Sequence, residues 1–138
     1  MKRSRVLFLC IHNSARSQMA EGLLRQLAGD RFDVFSAGIE AASLRPEAVA
    51  AMKELGLDIS TQRSKSVDEY TGKPFDVVVT TCDEAKEACP LFPGARRMLH
   101  WNVPDPAAVD GDPGDRAVAF RAAREMLRQK IQDVFSPG

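Results

Sequence analysis

Two residues near the start of the chain, Cys10 and Arg16, have the types and spacing of a nucleophile with an anion-binding partner. An apolar run, Arg5-Val6-Leu7-Phe8-Leu9, directly precedes the cysteine and is typical of a short buried strand. The residues after the arginine, from Gln18 to Leu24, have a helical pattern. The cysteine therefore ends a predicted strand, and the arginine begins a predicted helix.

This arrangement predicts a site for a tetrahedral oxyanion. Backbone N–H groups of a tight loop provide donors, and the N-terminus of the following helix adds positive potential. The guanidinium of Arg16 can bind two oxygens of the anion at once, and the same field favours a thiolate nucleophile at Cys10. Ser17 is placed to donate to that sulfur, and Asn13 tolerates the positive φ that a curled loop requires. The predicted oxyanion-binding residues, which we call the anion loop, are Cys10, Ile11, His12, Asn13, Ser14, Ala15, Arg16 and Ser17.

A third group with suitable chemistry is Asp105, which lies between Pro104 and Pro106. Displacing an oxygen from the anion requires a proton on the leaving group, and a positioned carboxylic acid supplies it. The two prolines exclude regular structure and stiffen the loop. We therefore predict that Asp105 is the catalytic acid; the alternative is that it caps a turn, as Asp-Pro sequences often do.

The chain has three cysteines, Cys10, Cys82 and Cys89, and their spacing matches no zinc pattern. An odd number without a secretion signal argues against a structural disulfide framework, so we predict no metal site and interpret the thiols as catalytic. The alternative is that all three are small buried hydrophobic residues. If the segment between Cys82 and Cys89 is helical, their Cα atoms lie roughly 10 Å apart. A disulfide needs about 4.4 to 6.8 Å, so this segment would have to bend or unwind to form one.

The elements that must position these residues alternate between strand and helix. Strands are predicted at residues 5–9, 31–36, 75–81 and 96–101, and helices at residues 15–28, 46–55 and from 112 onwards. Such crossovers produce a parallel sheet covered on both faces. We therefore predict an α/β fold, a three-layer sandwich with a four-stranded parallel sheet flanked by helices, as one domain over residues 1–138. Ligands bind at the carboxyl ends of the strands in such sheets, where Cys10, Cys82 and Asp105 are expected to meet.

The composition argues against two classes of partner. Lys+Arg and Asp+Glu both total 19, so the net charge is zero and there is no basic field for nucleic acid or a membrane surface. The first apolar run is too short for a signal peptide, and no segment approaches transmembrane length. We expect a cytoplasmic, monomeric enzyme.

Together these residues resemble the thioredoxin-coupled arsenate reductases, which have the low-molecular-weight tyrosine phosphatase fold. The likeness covers essentially the whole chain. The matching segments are Phe8-Leu9-Cys10, Asn13-Ser14, Arg16-Ser17-Gln18-Met19-Ala20-Glu21-Gly22, Ser36-Ala37-Gly38-Ile39, Asp58-Ile59-Ser60, Cys82, Cys89-Pro90, His100-Trp101 and Asp105-Pro106-Ala107.

The resemblance implies a relay of three thiols that reduces arsenate to arsenite, with a role in arsenic detoxification. Cys10 attacks arsenate, and Asp105 protonates the departing oxygen. Cys82 then attacks Cys10, arsenite leaves and a Cys10–Cys82 disulfide forms. Cys89 attacks Cys82 in turn, and thioredoxin reduces the resulting Cys82–Cys89 disulfide. Arsenate as the substrate rests on the resemblance alone, since phosphate has almost the same shape and charge.

The chain departs from this family at a cation site. Some members bind potassium with residues that match Asn13, Glu21 and Ser36, and a carboxylate of that site is Lys65 here. We expect the Lys65 ammonium to replace the cation by pairing with Glu21, so that no cofactor other than the reductant is needed. The usual glycine before Asn13 is His12, which is expected to narrow or charge the mouth of the loop.

Two other functions fit part of this pattern. A tyrosine phosphatase would use Cys10, Arg16 and Asp105, but Cys82 and Cys89 would then be idle, and the sequence offers few aromatic residues to line a tyrosine pocket. An oxyanion or arsenite sensor would use the thiols as ligands, but it would have no need of an acid or of Ser17.

Overall fold

The computed structural model describes residues 3–40, 42–83 and 92–136. In these ranges the chain forms four strands and three α-helices in the predicted order, with short 3-10 helices at Val67–Glu69 and Pro106–Ala108. The main elements are β1 (Ser4–Cys10), α1 (Arg16–Ala28), β2 (Phe32–Gly38), α2 (Pro46–Lys53), β3 (Phe75–Thr80), β4 (Ala95–His100) and α3 (Pro113–Phe135). Cys89 and most of the segment predicted to be helical before it lie outside the described residues.

The strands form one parallel sheet in the order β2-β1-β3-β4. This arrangement confirms the predicted α/β class with a four-stranded parallel sheet flanked by helices. β1 has an inner position, and from Val6 to Cys10 no residue is more than 1% exposed. A strand buried on both faces requires the continuous apolar run that β1 has. β2 lies at an edge of the sheet.

Side chains of β1 alternate between two apolar clusters, one on each face of the sheet. Val6 and Phe8 pack with residues of α1, α2 and α3, which all contribute to the larger cluster. Leu7 and Leu9 pack on the opposite face in a smaller cluster that includes Phe75. Burial on both faces fixes the position of β1, and therefore of Cys10 at its carboxyl end.

Two side chains that the helical pattern places in the core are instead partly exposed, Leu27 of α1 at 39% and Val134 of α3 at 40%. At the end of α3 the buried residue is Phe135, because its ring packs edge-on against Phe8 and Trp101. The larger aromatic residue takes the core position, and Val134 turns towards solvent. Leu27 lies in an open groove between α1 and the end of α3.

Candidate active site

The anion loop leaves the sheet at the end of β1 and enters α1 at Arg16. Asn13, near its centre, has the predicted positive φ, with a value of 51°. Gly38, the last residue of β2, lies directly against the loop. A β-carbon at this position would lie 2.7 Å from both the Asn13 nitrogen and the Ile11 oxygen. The close approach of the loop to β2 therefore requires glycine.

The segment after β2 holds the outer side of the loop. Its backbone N–H groups donate to loop carbonyls: Glu40 to Ile11 at 2.8 Å, Ala42 to His12 at 3.2 Å and Arg45 to Ser14 at 2.8 Å. A peptide unit is planar with its C=O and N–H directed oppositely, so carbonyls held on the outside direct the following N–H groups inwards. This geometry produces a cradle of backbone donors for an oxyanion.

Cys10 is a free thiol and is 1% exposed. The Asn13 backbone N–H donates to its sulfur at 3.1 Å, and the Ser17 Oγ lies 2.9 Å from the same sulfur. Because Asn13 Nδ2 donates to the Ser17 oxygen at 2.7 Å, the hydroxyl hydrogen of Ser17 is left for the sulfur. Two donors of this kind stabilise negative charge on Cys10, as a nucleophilic thiolate requires.

The side-chain amide of Asn13 is held in this orientation by two donors. Gln18 Nε2 donates to Asn13 Oδ1 at 3.0 Å, and the Lys65 backbone N–H donates to the same oxygen at 2.8 Å. Gln18 is fully buried, and its amide also donates to the Arg63 backbone oxygen at 2.8 Å. Sequence reasoning gave Gln18 no role in the site, because its partners belong to loops and leave no local pattern.

Arg16 and Asp105 lie close together in the structure. The Arg16 guanidinium is 3% exposed; one of its nitrogens donates to the Val103 carbonyl at 3.1 Å, and the other lies 3.8 Å from Asp105 Oδ2. The second carboxylate oxygen, Oδ1, accepts from the Ala107 N–H at 2.9 Å and caps the short 3-10 helix that begins at Pro106. The two interpretations of Asp105 are therefore compatible, because one oxygen caps the turn while the other faces the arginine.

Cys82 is fully buried and lies just after the end of β3. Leu9 is in register with Thr80 across the β1–β3 pair. Cys10 directly follows Leu9, and Cys82 comes two residues after Thr80, so both cysteines lie at the same rim of the sheet. The Cys82 carbonyl accepts from the Val103 N–H at 3.3 Å, which joins it to the loop that carries Asp105. The structure thus brings Cys10, Arg16, Ser17, Asp105 and Cys82 to one rim, whereas Cys89 is outside the described residues.

A buried ionic cluster lies behind the loop. Lys65 Nζ is 3.4 Å from Glu21 Oε1, 3.5 Å from Ser36 Oγ and 3.0 Å from the Arg63 carbonyl. The Ser36 hydroxyl donates to the same Glu21 oxygen at 2.5 Å, and Arg25 pairs with the other oxygen at 2.8 Å. The oxygen atoms that a hard cation would use are therefore already contacted by an ammonium group.

His12 is an exposed residue of the loop, and its Nδ1 lies 3.3 Å from the Glu40 carbonyl oxygen. In residues 3–40, 42–83 and 92–136, no group of three or more His, Cys, Asp or Glu side chains is arranged to hold a metal ion. None of the helices in these ranges is both long and apolar enough to cross a membrane.

Comparison with known proteins connects this geometry to a family. Residues 5–136 match the family model for low molecular weight phosphotyrosine protein phosphatases. The chain is 41% identical to the arsenate reductase of Halalkalibacterium halodurans over 138 residues, which is 100% of this chain and 99% of the relative. A solved arsenate reductase in the phosphate binding state superposes with a TM-score of 0.78 at 30% identity, with 95% of each chain covered. The thioredoxin-dependent arsenate reductase of Corynebacterium glutamicum superposes with a TM-score of 0.64 at 28% identity, over 94% of this chain and 62% of that one.

Proposed function

The chain belongs to the low molecular weight phosphotyrosine protein phosphatase family, and we propose that it reduces arsenate to arsenite. The observation that carries this proposal is a second cysteine, Cys82, buried at the rim of the loop that holds Cys10. Hydrolysis of a phosphate ester needs one thiol, whereas reduction needs a second thiol to take over the bond to the first. A relative of almost the same length is named an arsenate reductase, which supports the same conclusion.

The first step that we propose is an attack of the Cys10 thiolate on arsenic while the backbone cradle and Arg16 bind the oxygens. Asp105 gives its proton to the departing hydroxyl, which leaves as water, and a sulfur–arsenic bond forms. The orientation of Asp105 supports this role, because its Oδ2 faces Arg16, which binds the anion.

The second step is an attack of the Cys82 thiolate on the Cys10 sulfur. The sulfur–arsenic bond breaks and its electron pair stays on arsenic, so that As(V) becomes As(III) and leaves as arsenite. The product on the protein is a Cys10–Cys82 disulfide. Cys89 then attacks Cys82, which frees the Cys10 thiolate and forms a Cys82–Cys89 disulfide.

The reductant that we propose for this last disulfide is thioredoxin, whose dithiol supplies both electrons by thiol–disulfide exchange. The likeness to a thioredoxin-dependent arsenate reductase supports this choice. Because thioredoxin works in the reducing cytosol, we place the enzyme in the cytoplasm, with a role in arsenic detoxification.

The direct experiment follows arsenite formation by the reduced protein with arsenate, thioredoxin, thioredoxin reductase and NADPH. Wild type should turn over continuously, and Cys89→Ser should release about one arsenite per protein molecule and then stop. Cys82→Ser should release none, because the bond to arsenic then has no second thiol to break it. Continuous thioredoxin-driven turnover by Cys89→Ser would show that the relay is wrong.

A second activity, hydrolysis of phosphate monoesters, would use the same Cys10, Arg16 and Asp105 and is favoured by the family of the chain. We expect it to be weak. The described residues that line the groove beside the anion loop include no phenylalanine, tyrosine or tryptophan to hold an aryl group; they are His12, Ser14, Ala42, Ser43, Leu44, Arg45 and Pro46. A chromogenic aryl phosphate measures this activity, which should survive in both Cys82→Ser and Cys89→Ser.

We also propose that the Lys65 ammonium stands in place of a cation; its contacts with the oxygens that a cation would use support this proposal. Its three oxygen neighbours are those of Glu21, Ser36 and the Arg63 backbone. The positive charge is covalently attached and cannot dissociate, so turnover should be the same in potassium and sodium salts of equal ionic strength. A clear rise in turnover with potassium would refute this.

A further inference from the structure

Arg116, in the first turns of α3, is attached to the loop that carries Asp105. One guanidinium nitrogen, Nη1, donates to the Ala107 carbonyl at 3.1 Å and to the Val109 carbonyl at 2.9 Å. The N–H of the same Ala107 donates to Asp105 Oδ1. Ala107 therefore links the two side chains: its carbonyl oxygen accepts from Arg116, and its N–H donates to the carboxylate of Asp105.

The other side of Arg116 is attached to α2. Its Nε and Nη2 lie 3.0 and 2.9 Å from Glu47 Oε2. The Arg116 side chain is 23% exposed and that of Glu47 is 31% exposed. Glu47 is in the first turn of α2, two residues after Arg45, whose N–H holds the Ser14 carbonyl of the anion loop. Arg116 thus joins the two walls of the site, the wall that carries the acid and the wall that braces the cradle.

We infer that Arg116 is a positioning residue that sets the distance and orientation of Asp105 relative to the anion loop. A flexible lysine could pair with Glu47, but its single ammonium could not also bind two carbonyls in fixed directions. Without the guanidinium, the turn from Pro106 to Ala108 would keep its own capping bond but lose its attachment to α3 and α2. This inference rests on the proposed role of Asp105 as the catalytic acid.

The ion pair between Arg116 and Glu47 is expected to persist at neutral pH. The pKa of Glu47 is lowered from its ordinary value, first by the hydrogen bond from its own backbone N–H and then by the Arg116 guanidinium. A lowered pKa keeps the carboxylate ionised at neutral pH, so the link does not open where the reaction is expected to run.

A double-mutant cycle tests the inference, with arsenite release measured in a single turnover of reduced protein. We expect Arg116→Met to slow release by about tenfold to hundredfold, since a small misplacement of a catalytic group has an effect of this size. In the Asp105→Asn background the same change should cost less than twofold, because there is no proton donor left to misplace. Inhibition by inorganic phosphate should stay within twofold of wild type, since the hydrogen bonds of Arg116 to described residues go to Glu47, Ala107 and Val109 and not to the anion loop.

The matched control is Arg121→Met, which removes another arginine of α3 that pairs with α2. Arg121 binds Glu54 at 2.8 Å and, among the described residues, has no hydrogen bond to the loop that carries Asp105. Arg121→Met should leave the rate unchanged, and Arg116→Lys should recover only part of the loss. If Arg116→Met does not fold, Glu47→Gln takes its place, since it removes the ion pair and keeps both carbonyl bonds; a fall of more than twofold that disappears with Asp105→Asn supports the inference.

Three results would overturn it: an unchanged rate in Arg116→Met, an equal loss in the two Asp105 backgrounds, or an equal loss in Arg121→Met. A wild type that releases no arsenite refutes the proposed function instead. The same cycle is then run on an aryl phosphate whose leaving group needs protonation, and the outcomes apply to Arg116 unchanged.

Discussion

Replacing Lys65 tests the buried charge cluster behind the nucleophile most directly. Lys65 and Glu21 have side chains that are 10% and 5% exposed, and their charged atoms lie 3.4 Å apart. At that distance the gross attraction is about 5 kcal/mol for an effective dielectric constant of about 20. Much of it offsets the loss of hydration of the two ions.

Removing one member of a buried pair commonly costs about 3 to 5 kcal/mol, because the other charge is left without a partner. Here the loss should be smaller, since Glu21 keeps Arg25 at 2.8 Å and the Ser36 hydroxyl at 2.5 Å. We therefore expect Lys65→Met to lower the free energy of unfolding by about 1 to 3 kcal/mol, which corresponds to about 3 to 10 °C in Tm for a chain of this size.

The assay is urea unfolding followed by the fluorescence of Trp101, the single tryptophan. Lys53→Met is the control, because Lys53 is an exposed lysine at the end of α2. A second variant, Lys65→Ala, opens space beside the same oxygens and should be stabilised by potassium chloride relative to tetramethylammonium chloride. At ten times the dissociation constant this gain is about 1.4 kcal/mol. Potassium stabilisation of the wild type, or no destabilisation in Lys65→Met, would refute the reasoning.

Three further predictions concern the loop and the helix pair. Gly38→Ala should abolish phosphate binding, measured by calorimetry, because its β-carbon would lie 2.7 Å from backbone atoms of the anion loop, which cannot move aside. Ser17→Ala should slow alkylation of Cys10 by iodoacetamide at pH 7 by about tenfold, since a hydrogen bond to a charged group contributes about 1.5 to 3 kcal/mol. The pKa of Glu54 is lowered to about 2 by its hydrogen bonds with two arginines of α3, first of all Arg121. Its contribution to stability should therefore be complete above pH 4.5 and be lost as pH falls towards 2, so the difference in urea midpoint between wild type and Glu54→Gln should shrink over that range.

The order of elements and the place of the nucleophile were predictable because both depend on local patterns. The apolar run before Cys10 specifies a buried strand, and the positive φ at Asn13 follows from its residue type. A parallel sheet then brings strand ends to one rim, which is why Asp105 could be predicted from its position after the last strand. None of these inferences requires knowledge of a distant partner.

The supporting residues could not be predicted in the same way. Gln18 lies in an otherwise ordinary helical sequence, and its burial is explained by its hydrogen bonds to Asn13 and to the Arg63 backbone. Arg116 is one of several arginines in α3, and the sequence does not distinguish it from Arg121, which pairs with Glu54 instead of Glu47. The difference arises from the fold, since the carbonyls of Ala107 and Val109, at the end of the short 3-10 helix, face Arg116.

Lys65 and the Cys10 sulfur are connected through Asn13 and Ser17, and this connection limits how freely either can change. Lys65 supplies its ammonium to Glu21 and its backbone N–H to Asn13 Oδ1. The same amide of Asn13 donates to Ser17, whose hydroxyl reaches the Cys10 sulfur. A shift of the lysine backbone would therefore turn the Asn13 amide and weaken a donor to the thiolate. The backbone bond remains when the side chain is replaced. Lys65→Met should therefore lower the free energy of unfolding by more than it raises the activation free energy for alkylation of Cys10 by iodoacetamide.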